Sequence, residues 1–166
     1  MKAYIEQLMD YNYWANGLIM KYAEKLTAEQ FVQPVSEVQD SPQAILSHIM
    51  FAERYWLDRM EGKLVSADEL HKQFGPQNYP EIKALYGAWF ELELRMRQLL
   101  ADFDEKDLPK SFSYIRPNGE ERSYRYIDIL THVVLHGMQH RAEAAFILTH
   151  YGHSPGNLDY NYYLQP

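Results

Sequence analysis

Residues 128–141 read DILTHVVLHGMQHR, with Asp128, His132, His136 and His140 at four-residue steps. Each step turns an α-helix by about 400°, so successive side chains drift by only ~40° and form one ladder along the helix. Imidazoles at positions i and i+4 converge above a helical turn and make a good chelate for a divalent metal ion. The segment therefore predicts a helix that carries two metal ligands on one face.

A third ligand must come from another helix, because two ligands rarely hold an ion. The candidate is His48, which shares an apolar helix face with Ile45 and Ile49, and we predict that it lies in the middle of a buried stripe. Histidines on helix faces are also often structural residues that bond a nearby carbonyl or carboxylate. The metal-binding and the structural interpretation of these histidines both stay open at this point.

Other cofactor sites have weaker support in the sequence. The Glu-x-x-His pairs of di-iron bundles and the HExxH motif of metalloproteases are both absent. The chain has no cysteine, which excludes thiolate metal sites, disulfides and c-type haem attachment. A haem held by two histidines remains a weaker alternative to the three-histidine site.

Apolar residues at three- and four-residue spacings predict four long amphipathic helices. They run from about Lys2 to Lys25, from Ser41-Pro42 to Met60, from Glu81 to Phe103, and from Tyr126 to Tyr151 before Gly152. Four such helices in a chain of this size imply an all-α four-helix bundle.

The connections between these helices carry their own signals. Thr27 and Gln30 form a capping-box pattern that predicts a short helical turn. Residues 63–80 are predicted to be irregular, with a turn at Gly75-Pro76. Between Phe112 and Tyr124, the Pro117-Asn118-Gly119 turn signal predicts a short β-hairpin before the last long helix. The aromatic C-terminal tail is predicted to pack back on the bundle.

Length and composition restrict the function classes. At 166 residues the chain fits a single domain, 1–166, with one hydrophobic core. The formal net charge of −7 argues against nucleic-acid binding, which needs a basic face. No apolar run is long enough to span a membrane, and Glu6 and Asp10 interrupt any signal-peptide pattern. The absence of cysteine suits a reducing cytoplasm, which is our expected location.

Several motifs together resemble the DinB family, also known as DinB/YfiT-like metalloenzymes. The segment from Leu130 to Arg141 resembles the family's His-x-x-x-His-Arg helix. Residues 11–16, YNYWAN, resemble its first-helix motif, and residues 46–56, from LSHI to Glu53 and Trp56, resemble its second. The ending GNLDY, residues 156–160, is similar to the family's tail. The resemblance covers nearly the whole chain and implies an up-down-down-up bundle.

The resemblance implies that His48, His136 and His140 bind the metal and that His132 is commonly histidine without being a ligand. The chain departs from the family where Ala142 and Glu143 follow Arg141 in place of Gly-Gln. Glu143 lies on the same side of the helix as His140. It is a candidate fourth ligand or catalytic base, with a surface salt bridge as the alternative.

Metal-bound imidazoles need acceptors for their free ring N–H groups, and Asp128 and Glu143 are the candidates. Asp128 is alternatively a helix-start residue favoured by the helix dipole. Asn12, Asn16 and Trp14 match first-helix residues that lie near the family's pocket, although Trp14 is better explained by core packing. The remaining histidines, which lie near loops or helix ends, are interpreted as ordinary surface residues: His71, His150 and His153.

Three neutral imidazoles leave the double charge of an ion uncompensated, with open positions for water or substrate. Zinc or nickel is the expected metal, with iron or manganese as alternatives. The resemblance implies a metal-dependent hydrolase or a transferase of low-molecular-weight thiols, acting on a small molecule and commonly forming a homodimer. The alternative is a non-catalytic metal-binding stress-response bundle that acts through partners.

Overall fold

The computed structural model describes residues 1–63, 65–116 and 118–165. Pro117, in the predicted hairpin turn, therefore lies outside the described residues. The elements follow in the order α1 Lys2–Ala23, α2 Ala28–Val32, α3 Pro42–Met60, α4 Ala67–Phe74, α5 Ile82–Asp102, β1 Ser111–Ile115, β2 Glu121–Arg125, α6 Tyr126–His150 and α7 Tyr160–Tyr163. The four long helices α1, α3, α5 and α6 form the predicted bundle.

Local capping interactions place the helix starts where the sequence predicts them. The Ser41 hydroxyl accepts a hydrogen bond from the Ala44 backbone N–H, and Pro42 occupies the first helical position of α3. Thr27 and Gln30 form a reciprocal capping box at the start of α2. Gly152 follows α6 with a φ of 80°, which ends that helix. The predicted bounds of all four long helices agree with the structure to within two residues.

Side-chain contacts show how the long helices run relative to one another. α1 and α5 are antiparallel, because Asp10 meets Arg97 while the amine of Lys2 bonds the carbonyl of Phe103. α3 and α5 are parallel, since Glu53 bonds Trp89 and Asp58 bonds Arg95 further along both helices. α6 is antiparallel to α3, so the topology is up-down-down-up.

Parallel α3 and α5 require a long connection across the bundle, and part of it is helical. The prediction of an irregular segment at 63–80 was wrong for residues 67–74, which form α4. The Ser66 hydroxyl accepts a hydrogen bond from the Glu69 N–H, and Leu70 is buried at 1% exposure. A helix this short has one buried anchor and no repeated apolar stripe, so periodicity could not reveal it.

The hairpin β1–β2 is antiparallel and pairs Phe112 with Tyr124, as predicted. It lies at the end of the bundle where α5 finishes and α6 begins. The C-terminal tail packs on α1: the Tyr11 hydroxyl donates to the Leu158 carbonyl, and the Tyr160 and Tyr163 rings contact the Tyr11 ring. Across the described residues, we find no helix long and apolar enough to cross a membrane.

Candidate metal centre

His48, His136 and His140 bring one nitrogen each into a common space, with the three nitrogens within 4.8 Å of one another. The ring centroids lie 5.1 Å apart for His48 and His136, 4.7 Å for His48 and His140, and 4.6 Å for His136 and His140. Two nitrogens that share a tetrahedral zinc ion are about 3.4 Å apart, given Zn–N bonds near ~2.1 Å. Small rotations of the rings therefore suffice to bind an ion, and the donor set fits a transition metal.

The helix packing explains this convergence. His136 and His140 occupy adjacent turns of α6, and His48 reaches them from the antiparallel helix α3. The prediction that His48 is buried was wrong: its neighbours Ser47 and Ile49 are buried, but His48 is exposed. It therefore lies at the edge of the apolar stripe of α3, on the solvent side. The site is therefore reachable by small molecules.

The environment of the three rings favours their neutral, metal-binding form. Burial, followed by the neighbouring charges of His140 and His48, lowers the pKa of His136 to about 4. Burial also lowers the pKa of His48, with smaller effects from His140 and His71. At neutral pH the lone pairs of His48 and His136 are thus free of protons and available to an ion.

Glu143 contacts one of the two ring nitrogens of His140 at hydrogen-bond distance. Its carboxylate oxygen Oε2 lies 2.8 Å from Nδ1 of His140, while the group of three convergent histidines does not include it. With Nδ1 held by a carboxylate, Nε2 of His140 is left to face the ion. This position differs from that expected of a fourth ligand.

The other two members of the α6 ladder lie outside the triad. His132 is exposed, with its ring centroid 5.6 Å from that of His136 and 5.6 Å from that of Trp56. Asp128 accepts two hydrogen bonds of 2.7 Å from Arg125 and is 49% exposed. A carboxylate in the first turn of a helix is favoured by the helix dipole. The structure thus places Asp128 in its alternative role and not beside a histidine.

The predicted pocket residues of α1 lie in the core, away from the triad. The buried side chains of Asn12 and Asn16 both accept hydrogen bonds from Nη1 of Arg141, at 2.5 and 2.8 Å. Arg141 is itself 1% exposed and follows His140 directly, so it points to a different side of α6. Trp14 packs against the rings of Tyr11 and Tyr163, as core packing predicts.

Two side-chain contacts were missed from the sequence, one in the core and one beside the triad. The first is the buried hydrogen bonding of Arg141 to Asn12 and Asn16, which are distant in sequence. The His-Arg motif and the i,i+4 pair of asparagines could both be seen in the sequence, but nothing linked them. His71 is exposed, as its interpretation as a surface residue requires, and it also stacks on Phe51 of α3 with centroids 4.1 Å apart. Phe51 is one helical turn from His48, so α4 borders the metal centre. No local sequence pattern indicates that His71 contacts Phe51.

A cavity of about 330 Å³ lies beside Glu143, the residue that contacts Nδ1 of His140. The other lining residues are Val38, Gln39, Asp40 and Ile45. The cavity gives room for a small molecule close to the triad.

Comparison with known proteins agrees with the fold and the motifs. The sequence model of the DinB family matches residues 1–166. Protein DinB from Bacillus subtilis (strain 168) is 27% identical over 169 residues, covering 99% of this chain and 95% of that protein. YfiT from Bacillus subtilis, described as a probable metal-dependent hydrolase with an unusual four-helix bundle topology, superposes with a TM-score of 0.71. It is 12% identical, with 93% of this chain and 91% of YfiT covered, and therefore supports the fold.

Proposed function

Since this chain belongs to the DinB family, we propose that it is a metal-dependent enzyme whose divalent transition metal is held by His48, His136 and His140. The observation that carries the proposal is the convergence of three imidazole nitrogens within 4.8 Å on a solvent-open side of the bundle. Structural metal sites in proteins are usually closed by four protein ligands, whereas catalytic sites keep a position for water or substrate.

An ion held by three neutral imidazoles would supply a strong positive charge, which would lower the pKa of a bound water to near ~7 and would deprotonate a bound thiol outright. The side chains around it position the reaction. His48 and His136 stay neutral at physiological pH because their pKa values are lowered. Glu143 holds the Nδ1 proton of His140 and so fixes the orientation of that ring. The cavity beside Glu143 gives room for part of a small substrate.

Two reactions suit this arrangement, the hydrolysis of a small molecule and the transfer of a low-molecular-weight thiol to an electrophile. Both need a nucleophile that is deprotonated near neutral pH, and neither needs a further cofactor. The description of YfiT as a probable metal-dependent hydrolase supports the first reaction. The half-open, aromatic surroundings of the triad support a substrate with an apolar part. We propose zinc or nickel as the metal.

The test compares metal content and turnover between two matched variants. His136→Ala removes a triad member, whereas His132→Ala removes the neighbouring histidine of the same ladder. We expect His136→Ala to lose stoichiometric metal and all metal-dependent turnover of thiols with a chromogenic electrophile or of ester substrates. His132→Ala should keep its metal. Full metal content in His136→Ala would rule out the proposed site, and metal binding without turnover on either substrate class would favour a non-catalytic bundle.

The non-catalytic alternative makes a separate prediction about ligand exchange. A metal site that serves only binding or structure has no exchangeable position, so thiols and small anions would leave the spectrum of the cobalt-substituted protein unchanged. The exposure of His48 and the cavity beside Glu143 favour an exchangeable position. We therefore expect the cobalt spectrum to respond to added thiols.

A further inference from the structure

A row of aromatic side chains contributed by α6, α3 and the hairpin leads away from the triad. The His132 ring lies 5.6 Å from that of His136, and Trp56 lies edge-on to His132 at 5.6 Å. Trp56 meets Tyr124 of the hairpin at 5.6 Å, again edge-on. His132, Trp56 and Tyr124 all keep solvent exposure. These three residues, called here the aromatic row, connect the metal centre to the hairpin.

Arg59 lies at the far end of the aromatic row. Its guanidinium carbon is 3.2 Å from the ring centroid of Tyr55 and 4.7 Å from that of Tyr114, and Tyr114 lies edge-on to Trp56 at 6.3 Å. Arg59 is 7% exposed, and Nη1 donates to the Tyr55 carbonyl at 3.0 Å. Its Nε is buried and has no hydrogen-bond partner.

The carboxylates nearest to Arg59 along the chain are already used. Asp58 is fully buried and pairs with Arg54 and Arg95, and Glu61 also pairs with Arg95. Within the part of the chain that the structure describes, Arg59 makes no salt bridge with a carboxylate. A buried cation without an anionic partner is unfavourable, and a stacked guanidinium presents a planar fork that suits a carboxylate.

We infer that Arg59 binds the carboxylate of the substrate on which the metal centre acts, an inference that rests on the proposed function. The guanidinium lies over Tyr55, which follows His48 by seven residues on α3. At 1.5 Å per residue this separates the two by about 10 Å along the helix. The substrate is therefore an extended molecule with its carboxylate about 10 Å from the reacting atom and an apolar or planar spacer along the aromatic row.

The test uses cobalt-loaded protein and thiols of defined length. Thiolate binding to cobalt is followed by the absorption band that it produces. We expect 8-mercaptooctanoate, whose sulfur and carboxylate are about as far apart as the His48–Tyr55 helix segment is long, to bind at least about tenfold more tightly than 8-mercapto-1-octanol, because it gains a charge-assisted hydrogen bond. The short acid 3-mercaptopropionate cannot reach Arg59 and should have no advantage over 3-mercapto-1-propanol.

Variants assign the effect to Arg59. Arg59→Gln should lower the affinity for 8-mercaptooctanoate to that for the matched alcohol, with folding checked by circular dichroism. Arg122→Gln is the control, because Arg122 is also near Tyr114 but is already paired with Glu120. If Arg59→Gln does not fold, Arg59→Lys keeps the charge without the planar fork and should lose most of the preference. Thiol binding with no preference for the carboxylate would overturn the inference.

A second measurement separates this inference from the proposed function. If no thiol binds to cobalt, the thiol-transfer reaction of the proposed function fails, and octanoate titrated into metal-free protein then tests Arg59 alone. We expect octanoate binding, measured by calorimetry, in the wild-type protein and its loss in Arg59→Gln. Equal binding or no binding in both proteins would overturn the role of Arg59.

Discussion

At His136, the metal-binding lone pair is kept free of protons well below neutral pH. The folded protein holds the pKa of this imidazole at about 4, mainly through burial, whereas an unfolded chain takes up the proton near ~6.5. Between these two values the unfolded state binds more protons than the folded state. The free energy of unfolding therefore decreases as the pH falls through this window. The pKa values of His48 and His132 are also lowered, so these two residues likewise make the free energy of unfolding decrease as the pH falls.

This linkage predicts an acid sensitivity of the metal-free protein. We expect its urea midpoint to be lower at pH 5 than at pH 7, and His136→Asn to reduce the difference. His150→Asn, which changes an exposed histidine at the end of α6, serves as the control and should keep the full pH dependence. An unchanged difference in His136→Asn would contradict the assignment.

We expect Glu143 to act on the metal through His140, whose Nδ1 it contacts, and not as a ligand. Removing the carboxylate in Glu143→Ala should weaken metal affinity by about 10–100-fold, the usual cost of losing such a partner. Competition with a chromophoric chelator measures the affinity, and Gln139→Ala, an exposed change on the same helix, is the control. A loss of turnover with unchanged metal affinity would instead assign Glu143 as a catalytic base.

The spacing of the histidines predicted that His136 and His140 share one face of α6, whereas His48 was proposed from its place on the apolar face of α3 and from the family resemblance. The i and i+4 positions of His136 and His140 follow from helix geometry alone, and α6 has the predicted bounds. The exposure of His48 depends on how α3 packs against its neighbouring helices. Packing between helices is a property of the tertiary structure, so the apolar stripe of α3 could not show it.

Among the elements, α6 packs against α1 through a contact that requires glycine at position 137. A methyl group at Gly137 would lie 2.5 Å from Nη1 of Arg141 and 2.9 Å from Oδ1 of Asn12. The guanidinium is held by two asparagines and is enclosed, so it cannot move aside without breaking those hydrogen bonds. Gly137 therefore makes space for the buried arginine.

Gly137→Ala should accordingly destabilise the protein by about 1–3 kcal/mol, as overpacking commonly does. Gly87 is the matched control: it lies within α5, and an added methyl would meet nothing within 4 Å. Gly87→Ala should stabilise the protein by roughly 0.5–1 kcal/mol through helix propensity. Urea unfolding of both variants measures the difference, and equal effects of the two changes would contradict the packing role of Gly137.

Some features of the fold are determined by residues close together in the sequence, and others by residues far apart. Ser41 and Thr27 start their helices through side-chain bonds to residues three positions later, so the chain itself contains the signal. The hydrogen bonds of Arg141 to Asn12 and Asn16 join residues more than a hundred positions apart. Nothing in the sequence around Arg141 shows that its partners are asparagines of α1.

For the whole molecule, the metal would join two helices that are distant in sequence, α3 and α6. An ion that binds only the folded protein adds about 2.7 kcal/mol to its stability when its free concentration is 100 times the dissociation constant. We expect zinc to raise the melting temperature, His48→Ala to abolish most of the rise, and a chelator to reverse it. Magnesium, which prefers oxygen ligands, should have no such effect.

The positions of the three ligands along the chain determine when the site can assemble during synthesis. His48 lies more than eighty residues before its two partners in the chain. A growing polypeptide on the ribosome therefore carries His48 without the other two histidines until the α6 segment has been synthesised. The three-histidine site can consequently bind an ion only after α6 has been added to the chain.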